Sequence, residues 1–162
     1  MTDQASDNPN VVIFPPILLL ATVVTGVLLD WLVPIELLET VPKWLLMVVG
    51  ALLFFLGASM PVAARRAFKK AGTNIRPNMP TTTIITSGLY AHTRNPIYQG
   101  AVIALLGVAL MLGSDWIFLL MLPMLLMLHF GVVLREERYL ESKFGEAYRH
   151  YKATVPRYGW KF

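Results

Sequence analysis

Residues 87–100 place polar side chains suited to binding and catalysis directly beside an apolar stretch. They include two tyrosines, a histidine, an arginine and an asparagine. Polar groups next to hydrocarbon are costly unless they are paired or bind something, so this position predicts a site. Tyr90 and Tyr98 could stack on a heterocycle or face a cation through their rings. Anchoring at the membrane interface, where tyrosine is common, is the alternative.

A second polar cluster, Arg-Glu-Glu-Arg at residues 135–138, closes the last apolar stretch. Glu136 or Glu137 could accept hydrogen bonds from an ammonium group or ribose hydroxyls. Arg94 and Arg135 could hold a substrate carboxylate. The alternatives are that these charges pair with one another or only mark the membrane topology. We predict that the two clusters are halves of one site.

Pro96 and His129 need separate treatment. Pro96 is predicted to begin a helix, where its missing N–H costs nothing and neighbouring N–H groups stay free for an anion. His129 lies within an apolar stretch, where an ionisable residue suggests function, although a hydrogen-bonded packing role is the interpretation we favour. No arrangement of three metal ligands emerges, and we expect no metal.

The composition indicates which elements must position these residues. Hydrophobic residues make up 56% of the 162-residue chain, charged residues 15%, and the mean hydropathy is +0.56. This is the composition of a small integral membrane protein. The absence of cysteine excludes disulfides and a thiolate nucleophile from this chain.

Four apolar stretches are long enough to cross the hydrocarbon core, and unpaired backbone groups in lipid require them to be helical. They cover residues 11–33, 44–64, 97–113 and 116–134. The fold class is therefore an all-α integral membrane protein with about four transmembrane helices. Small residues recur along the second and third helices and predict their close approach; they are Gly50, Gly57, Gly100, Ala104 and Gly107.

The remaining segments divide the chain further. Residues 1–10 are polar and are predicted to form a disordered tail, followed by a membrane domain over 11–134. Apolar residues at three- and four-residue steps predict a C-terminal amphipathic helix within 135–162, which completes the site.

The distribution of charge predicts the orientation. Of the 14 lysines and arginines, 13 lie in 65–96 or 135–162, and the net charge is +4. By the positive-inside tendency, both termini and the 65–96 segment face the cytoplasm. We predict a bacterial inner-membrane protein whose basic face contacts membrane lipid, with no nucleic-acid partner.

Two elements of the sequence resemble a known family. Residues 88–100 are similar to the G-x-Y-x-x-x-R-[HN]-P-x-Y-x-G signature of isoprenylcysteine carboxyl methyltransferases and their prokaryotic relatives. Residues 136–151 resemble that family's E-E-x-x-L-x-x-x-F-G-x-x-Y-x-x-Y element. The phosphatidylethanolamine methyltransferases are more distant relatives. Asn95 stands where many eukaryotic members have histidine, and this chain is shorter than those members.

The resemblance implies that S-adenosylmethionine binds at the cytoplasmic end of the membrane helices and leaves as S-adenosylhomocysteine. The positions that match cofactor contacts of the family are Thr83, Ile84, Ile85, Tyr90, Asn95, Pro96, Ile97, Tyr98 and Glu136. For catalysis we name Arg94, Arg135 and Glu137.

The methyl acceptor is left open by the sequence. A carboxylate or thiolate can attack as an anion, whereas an amine must first lose a proton. Because no unmistakable base is present, we favour a carboxylate or thiol of a lipophilic or small acceptor over a phospholipid amine. A non-enzymatic membrane scaffold or partner subunit is the alternative from another class.

Overall fold

The computed structural model describes residues 8–73 and 80–161, and within them all regular structure is helical. This confirms the predicted all-α membrane fold. The helices are α1 (Pro15–Leu32), α2 (Lys43–Ala71), a short 3-10 helix (Gly88–Ala91), α3 (Pro96–Leu112), α4 (Asp115–Leu128), a π-turn (His129–Val133), α5 (Leu134–Phe144) and α6 (Glu146–Thr154).

Three helical stretches are long and apolar enough to cross a membrane: α1, α2, and the continuous stretch Asp115–Phe144 that joins α4 to α5. Helix α3 is also apolar but shorter. The four apolar stretches found in the sequence therefore correspond to these four helices.

Helix α2 and the joined α4–α5 stretch run further than their apolar stretches, the latter as far as Phe144. Helix α2 has 29 residues, about 44 Å at 1.5 Å per residue, and continues beyond residue 64 to Ala71. The residues after 64 include alanine, arginine and lysine, which favour helix in water as well as in lipid. The helix ends at Gly72, whose φ of +66° is the left-handed conformation typical of a helix C-terminus.

Helices α2 and α3 pack with their backbones in contact through glycines. A Cβ atom at Gly50 would lie 2.7 Å from the carbonyl oxygen of Gly107. A Cβ atom at Gly100 would lie 2.5 Å from the carbonyl oxygen of Gly57. The spacing of small residues predicts this close approach, and the contacts confirm it.

Carboxylates hold together the end of the molecule where α4 begins. Ser114 Oγ donates to Asp30 of α1 and accepts from the backbone N–H of Ile117 at 3.0 Å, which caps α4. Asp115 is buried and accepts from the backbone N–H groups of Leu37 at 2.9 Å and Leu38 at 3.2 Å. One turn of helix α4 therefore fixes α1 and the α1–α2 connection.

Replacing Asp115 by alanine should destabilise this end of the molecule by about 2 kcal/mol, because two backbone N–H groups lose their acceptor. The melting temperature of detergent-solubilised protein checks this. Glu39→Ala, at an exposed carboxylate in the same connection, is the matched control and should leave the melting temperature near that of the wild type. An equal decrease in both variants would contradict the role given to Asp115.

The C-terminal part forms the predicted amphipathic element, divided in two at Gly145. That glycine has a φ of +55°, and α5 and α6 meet there at a bend. Tyr148, Tyr151 and Val155 are buried and pack against a group of partly buried apolar side chains. That group comprises Ile84, Leu140 and Phe144. Helix α6 is thereby held against α5 and the segment that contains Ile84.

Candidate functional site

A cleft lies where the basic end of α2, the beginning of α3 and the helices α5 and α6 meet. It contains about 830 Å³ of space free of protein atoms, the solvent at its mouth included. Polar and apolar side chains line it together. They are Pro9, Phe68, Thr81, Thr83, Ile84, Ile85, Tyr90, Arg94, Asn95, Ile97, Tyr98, Glu136, Glu137, Tyr139, Leu140, Tyr148 and Tyr151.

The structure brings ten of the twelve predicted site residues to this cleft. The two outside its lining are Pro96, which is buried at the first position of α3, and Arg135. Arg135 donates from Nη1 to the carbonyl oxygen of Asn10 at 3.1 Å and borders a shallow recess beside the cleft. The two sequence clusters thus adjoin, while the binding role of each residue stays a prediction.

Glu136 and Tyr98 connect the two halves of the cleft. Tyr98, in the first turn of α3, donates its hydroxyl hydrogen to Oε1 of Glu136 on α5 at 2.7 Å. Among the described residues, the second carboxylate oxygen of Glu136 has no hydrogen-bond partner. A carboxylate in such a position attracts a cationic group of a ligand.

Glu137 is the centre of a buried ion-pair cluster. Its side chain is 6% exposed and lies between two arginines. Arg157 donates from Nε to Oε1 at 2.9 Å and from Nη2 to Oε2 at 2.8 Å. Arg94 Nη1 lies 2.9 Å from Oε1. Both oxygens of Glu137 are therefore occupied, which distinguishes it from Glu136.

Arg94 has unused hydrogen-bonding capacity. Its side chain is only 7% exposed, and its Nε and Nη1 make no aligned hydrogen bond within residues 8–73 and 80–161. The Nη1 contact with Glu137 is thus an ion pair without hydrogen-bond alignment. A buried donor without an acceptor is costly, so this arrangement suits a ligand that brings an acceptor.

Three tyrosines of the cleft remain neutral phenols. Burial, and then the nearby Glu137 carboxylate, raises the pKa of Tyr148 to about 12. Burial also raises the pKa of Tyr90 and Tyr151 well above the ordinary value. Tyr151 donates to the carbonyl oxygen of Tyr90 at 2.7 Å. These side chains can donate hydrogen bonds and present rings, but they do not serve as bases near neutral pH.

The π-turn lies between the apolar helix α4 and the glutamate-bearing α5. A π-turn adds one residue to a helical turn and rotates everything after it. The carbonyl oxygen of Gly131 in this turn accepts from the backbone N–H of Val12 at 3.1 Å.

Residues 1–7 of the predicted tail lie outside the described residues, while Pro9 is buried at the cleft.

His129 lies on the outside of this junction. Its Nδ1 is 2.8 Å from the hydroxyl oxygen of Tyr158, and its ring meets Phe130 edge to face. It does not line the cleft. These contacts agree with the packing role favoured from the sequence.

Arg157 and its neighbours are the part of the site that the sequence did not indicate. They follow α6 without a motif or a regular spacing, and only the folded chain brings Arg157 to Glu137. A basic residue after an amphipathic helix is too common a feature to predict such a contact. Pro9 also lines the cleft, and no motif or spacing in the sequence indicated it.

Comparisons with known proteins find a matching family and similar sequences. The profile of a family described as phospholipid methyltransferase matches residues 45–147. A protein-S-isoprenylcysteine O-methyltransferase of Schizosaccharomyces pombe is 36% identical over 74 residues, which are 45% of this chain and 31% of that protein. The chain thus aligns with about a third of the length of that relative.

An uncharacterized protein of Haemophilus influenzae is 39% identical over 62 residues, 38% of this chain and 98% of that protein. No solved structure gives a significant match.

Proposed function

Because the chain belongs to the phospholipid methyltransferase family, we propose that it is an integral membrane methyltransferase that uses S-adenosylmethionine as methyl donor. The observation that carries the proposal is that Glu136 and Arg94 line the same cleft. An available carboxylate and an arginine with unused donors suit a ligand that carries an ammonium group and a carboxylate. When bound, S-adenosylmethionine supplies a methyl group on a sulfonium sulfur.

The side chains of the cleft fit such a donor. The unpartnered Nε of Arg94 would donate to its carboxylate, and the second oxygen of Glu136 would accept from its ammonium group. Tyr90, whose ring lies edge to face with Phe68 at 5.7 Å, would present an aromatic surface to the adenine. Thr83, Ile84 and Ile85 would line the opposite side.

We propose a carboxylate or thiolate of a lipophilic or small molecule as the acceptor. Within the described residues no histidine lines the cleft, burial raises the pKa values of Tyr90, Tyr148 and Tyr151, and Glu137 is held by two arginines. An acceptor that is already an anion needs no base. The role of the protein is then to bind, to align and to exclude water. Glu137 positions Arg94, which serves the carboxylate of the donor.

A phospholipid amine is the second candidate acceptor. The name of the matching family favours it, and so does Glu136, which among the described carboxylates of the cleft is the one not held by arginines. An amine acceptor would give its proton to this carboxylate before or during methyl transfer.

We also propose that the cleft faces the cytoplasm of a bacterial inner membrane. Exposed basic residues surround it: Arg65, Arg66, Lys69 and Lys70 on α2, and Arg149 and Lys152 on α6. Such an accumulation is typical of the cytoplasmic side.

The direct test is binding and transfer with the purified protein. We expect calorimetry to detect binding of S-adenosylhomocysteine, and expect Arg94→Met to weaken it at least about 10-fold because a charged hydrogen bond is lost. Arg149→Met, at an exposed α6 arginine paired with Glu146, is the matched control and should bind like the wild type. Folded wild-type protein that shows no binding would favour the scaffold alternative.

The acceptor class follows from the fate of a labelled methyl group. Membranes containing the protein are incubated with methyl-labelled S-adenosylmethionine, and the lipids and small molecules are then fractionated. Base-labile label identifies a carboxyl ester, and base-stable label in small thioethers identifies a thiol. Label in phospholipid headgroups identifies the amine and would overturn our first choice.

A further inference from the structure

The segment that follows α6 runs back across the beginning of α3. Five contacts tie it there. The backbone N–H of Arg94 donates to the carbonyl oxygen of Pro156 at 2.9 Å, and that of Lys161 donates to His92 at 2.9 Å. Gln99 Nε2 donates to the carbonyl oxygen of Gly159 at 3.2 Å. The remaining two are the hydrogen bond of His92 Nδ1 with the Lys161 carbonyl at 2.9 Å and the stacked rings of His92 and Trp160.

Arg157 connects this segment to both halves of the cleft. Its carbonyl oxygen accepts from Asn95 Nδ2 at 3.1 Å and from Thr93 Oγ1 at 3.3 Å, just before α3. Its guanidinium group donates twice to Glu137 on α5. Arg157 thus links the two sequence clusters that form the cleft, in addition to the direct contacts of Tyr98 with Glu136 and of Arg94 with Glu137.

The two hydrogen bonds from Arg157 to Glu137 also determine which contact Arg94 makes with that carboxylate. A buried carboxylate attracts every nearby guanidinium group, and a bidentate pair is its strongest partner. Because Arg157 takes both oxygens of Glu137 in that geometry, Arg94 keeps only an unaligned contact. Among the described residues, the Nε of Arg94, a residue of the cleft lining, is therefore left without an acceptor.

We propose that Arg157 is a positioning residue, which satisfies Glu137 so that Arg94 stays available to an anionic group of the ligand. This inference rests on the proposed function. Asn95, placed among the cofactor contacts by the sequence, then acts through its hydrogen bond to Arg157 rather than through its Nδ2 on the ligand.

The test is a set of variants assayed for S-adenosylhomocysteine binding by calorimetry and for KM and kcat. In Arg157→Met, Glu137 loses its bidentate partner and draws Arg94 into its place, so we expect Kd and the KM for S-adenosylmethionine to rise about 10-fold. Arg157→Lys keeps one charge without the fork and should be intermediate. Arg149→Met is the control for loss of an exposed arginine and should match the wild type.

A double variant separates positioning from a structural role. Adding Glu137→Gln to Arg157→Met removes the charge that draws Arg94 away, so binding should recover at least about threefold relative to Arg157→Met alone. If Arg157 served only stability, the second substitution would bring no recovery.

Binding by the wild type distinguishes failure of this inference from failure of the proposed function. Failure of the wild type to bind S-adenosylhomocysteine would overturn the function itself. Binding by the wild type and equal binding by Arg157→Met, or by Arg157→Lys if the methionine variant does not fold, would overturn only the role of Arg157.

Discussion

Replacing Glu136 by glutamine is expected to lower kcat/KM for S-adenosylmethionine by about 100-fold. The substitution keeps the size of the side chain and an acceptor for Tyr98, which donates to Oε1 at 2.7 Å in the native protein. It removes the charge that would compensate the ammonium and sulfonium groups of the donor. A hydrogen bond to a charged group is worth roughly 1.5–3 kcal/mol, and each 1.4 kcal/mol is about tenfold in affinity.

The measurement is a kinetic comparison with Glu141→Gln as the matched control. Glu141 lies on the same helix α5 but pairs with Lys152 at 2.9 Å, away from the cleft. We expect the control to keep its activity. Tyr98→Phe, which removes only the hydroxyl that orients Glu136, should cause a smaller loss. A Glu136→Gln variant with wild-type kcat/KM would exclude Glu136 from donor binding.

Placing a methyl group between α2 and α3 should have the largest effect on stability. In Gly57→Ala the new Cβ atom would lie 2.5 Å from the carbonyl oxygen of Gly100. Because the neighbouring atom belongs to the backbone, the two helices must separate to remove the clash. This should lower the free energy of unfolding by on the order of 3 kcal/mol. By the usual relation between stability and melting temperature, we expect a decrease of roughly 6–12 °C.

Thermal unfolding in detergent, followed by circular dichroism, measures this effect. Gly131→Ala is the control, since the nearest atom to its new Cβ would be Val12 Cβ at 3.8 Å, an ordinary contact. Its melting temperature should stay close to that of the wild type. Equal behaviour of the two variants would show that α2 and α3 tolerate a wider separation than the structure indicates.

The fold was predictable because a chain in lipid must satisfy its backbone hydrogen bonds internally, which few structures do. Four long apolar stretches can only be helical in lipid, and the structure confirms helices at all four, with α3 shorter than the other three. The glycine spacing also predicted a contact that the structure shows between Gly50 and Gly107. The ends of helices were less predictable, because α2 continues to Ala71 and the joined α4–α5 stretch to Phe144, beyond the end of each apolar stretch.

The cleft was predictable as far as its residues belong to short sequence clusters. Residues 88–100 and 135–138 lie at polar ends of apolar stretches, and topology places those ends together. What distinguishes Glu136 from its neighbour Glu137 is invisible in the sequence. The distinction arises from Arg157, which reaches the site through a bend at Gly145 and a chain reversal after α6.

The brevity of α3 has a consequence for kinetics. Its 17 residues rise about 25 Å, whereas the hydrocarbon of a bilayer is about 30 Å thick. A helix shorter than the hydrocarbon brings its ends inward or thins the bilayer, so we expect the groups around Pro96 to be within reach of an acceptor dissolved in the membrane. For such an acceptor, the rate of turnover should depend on its mole fraction in the bilayer. Adding inert lipid should therefore slow turnover even when the concentration of the acceptor in the whole sample is unchanged.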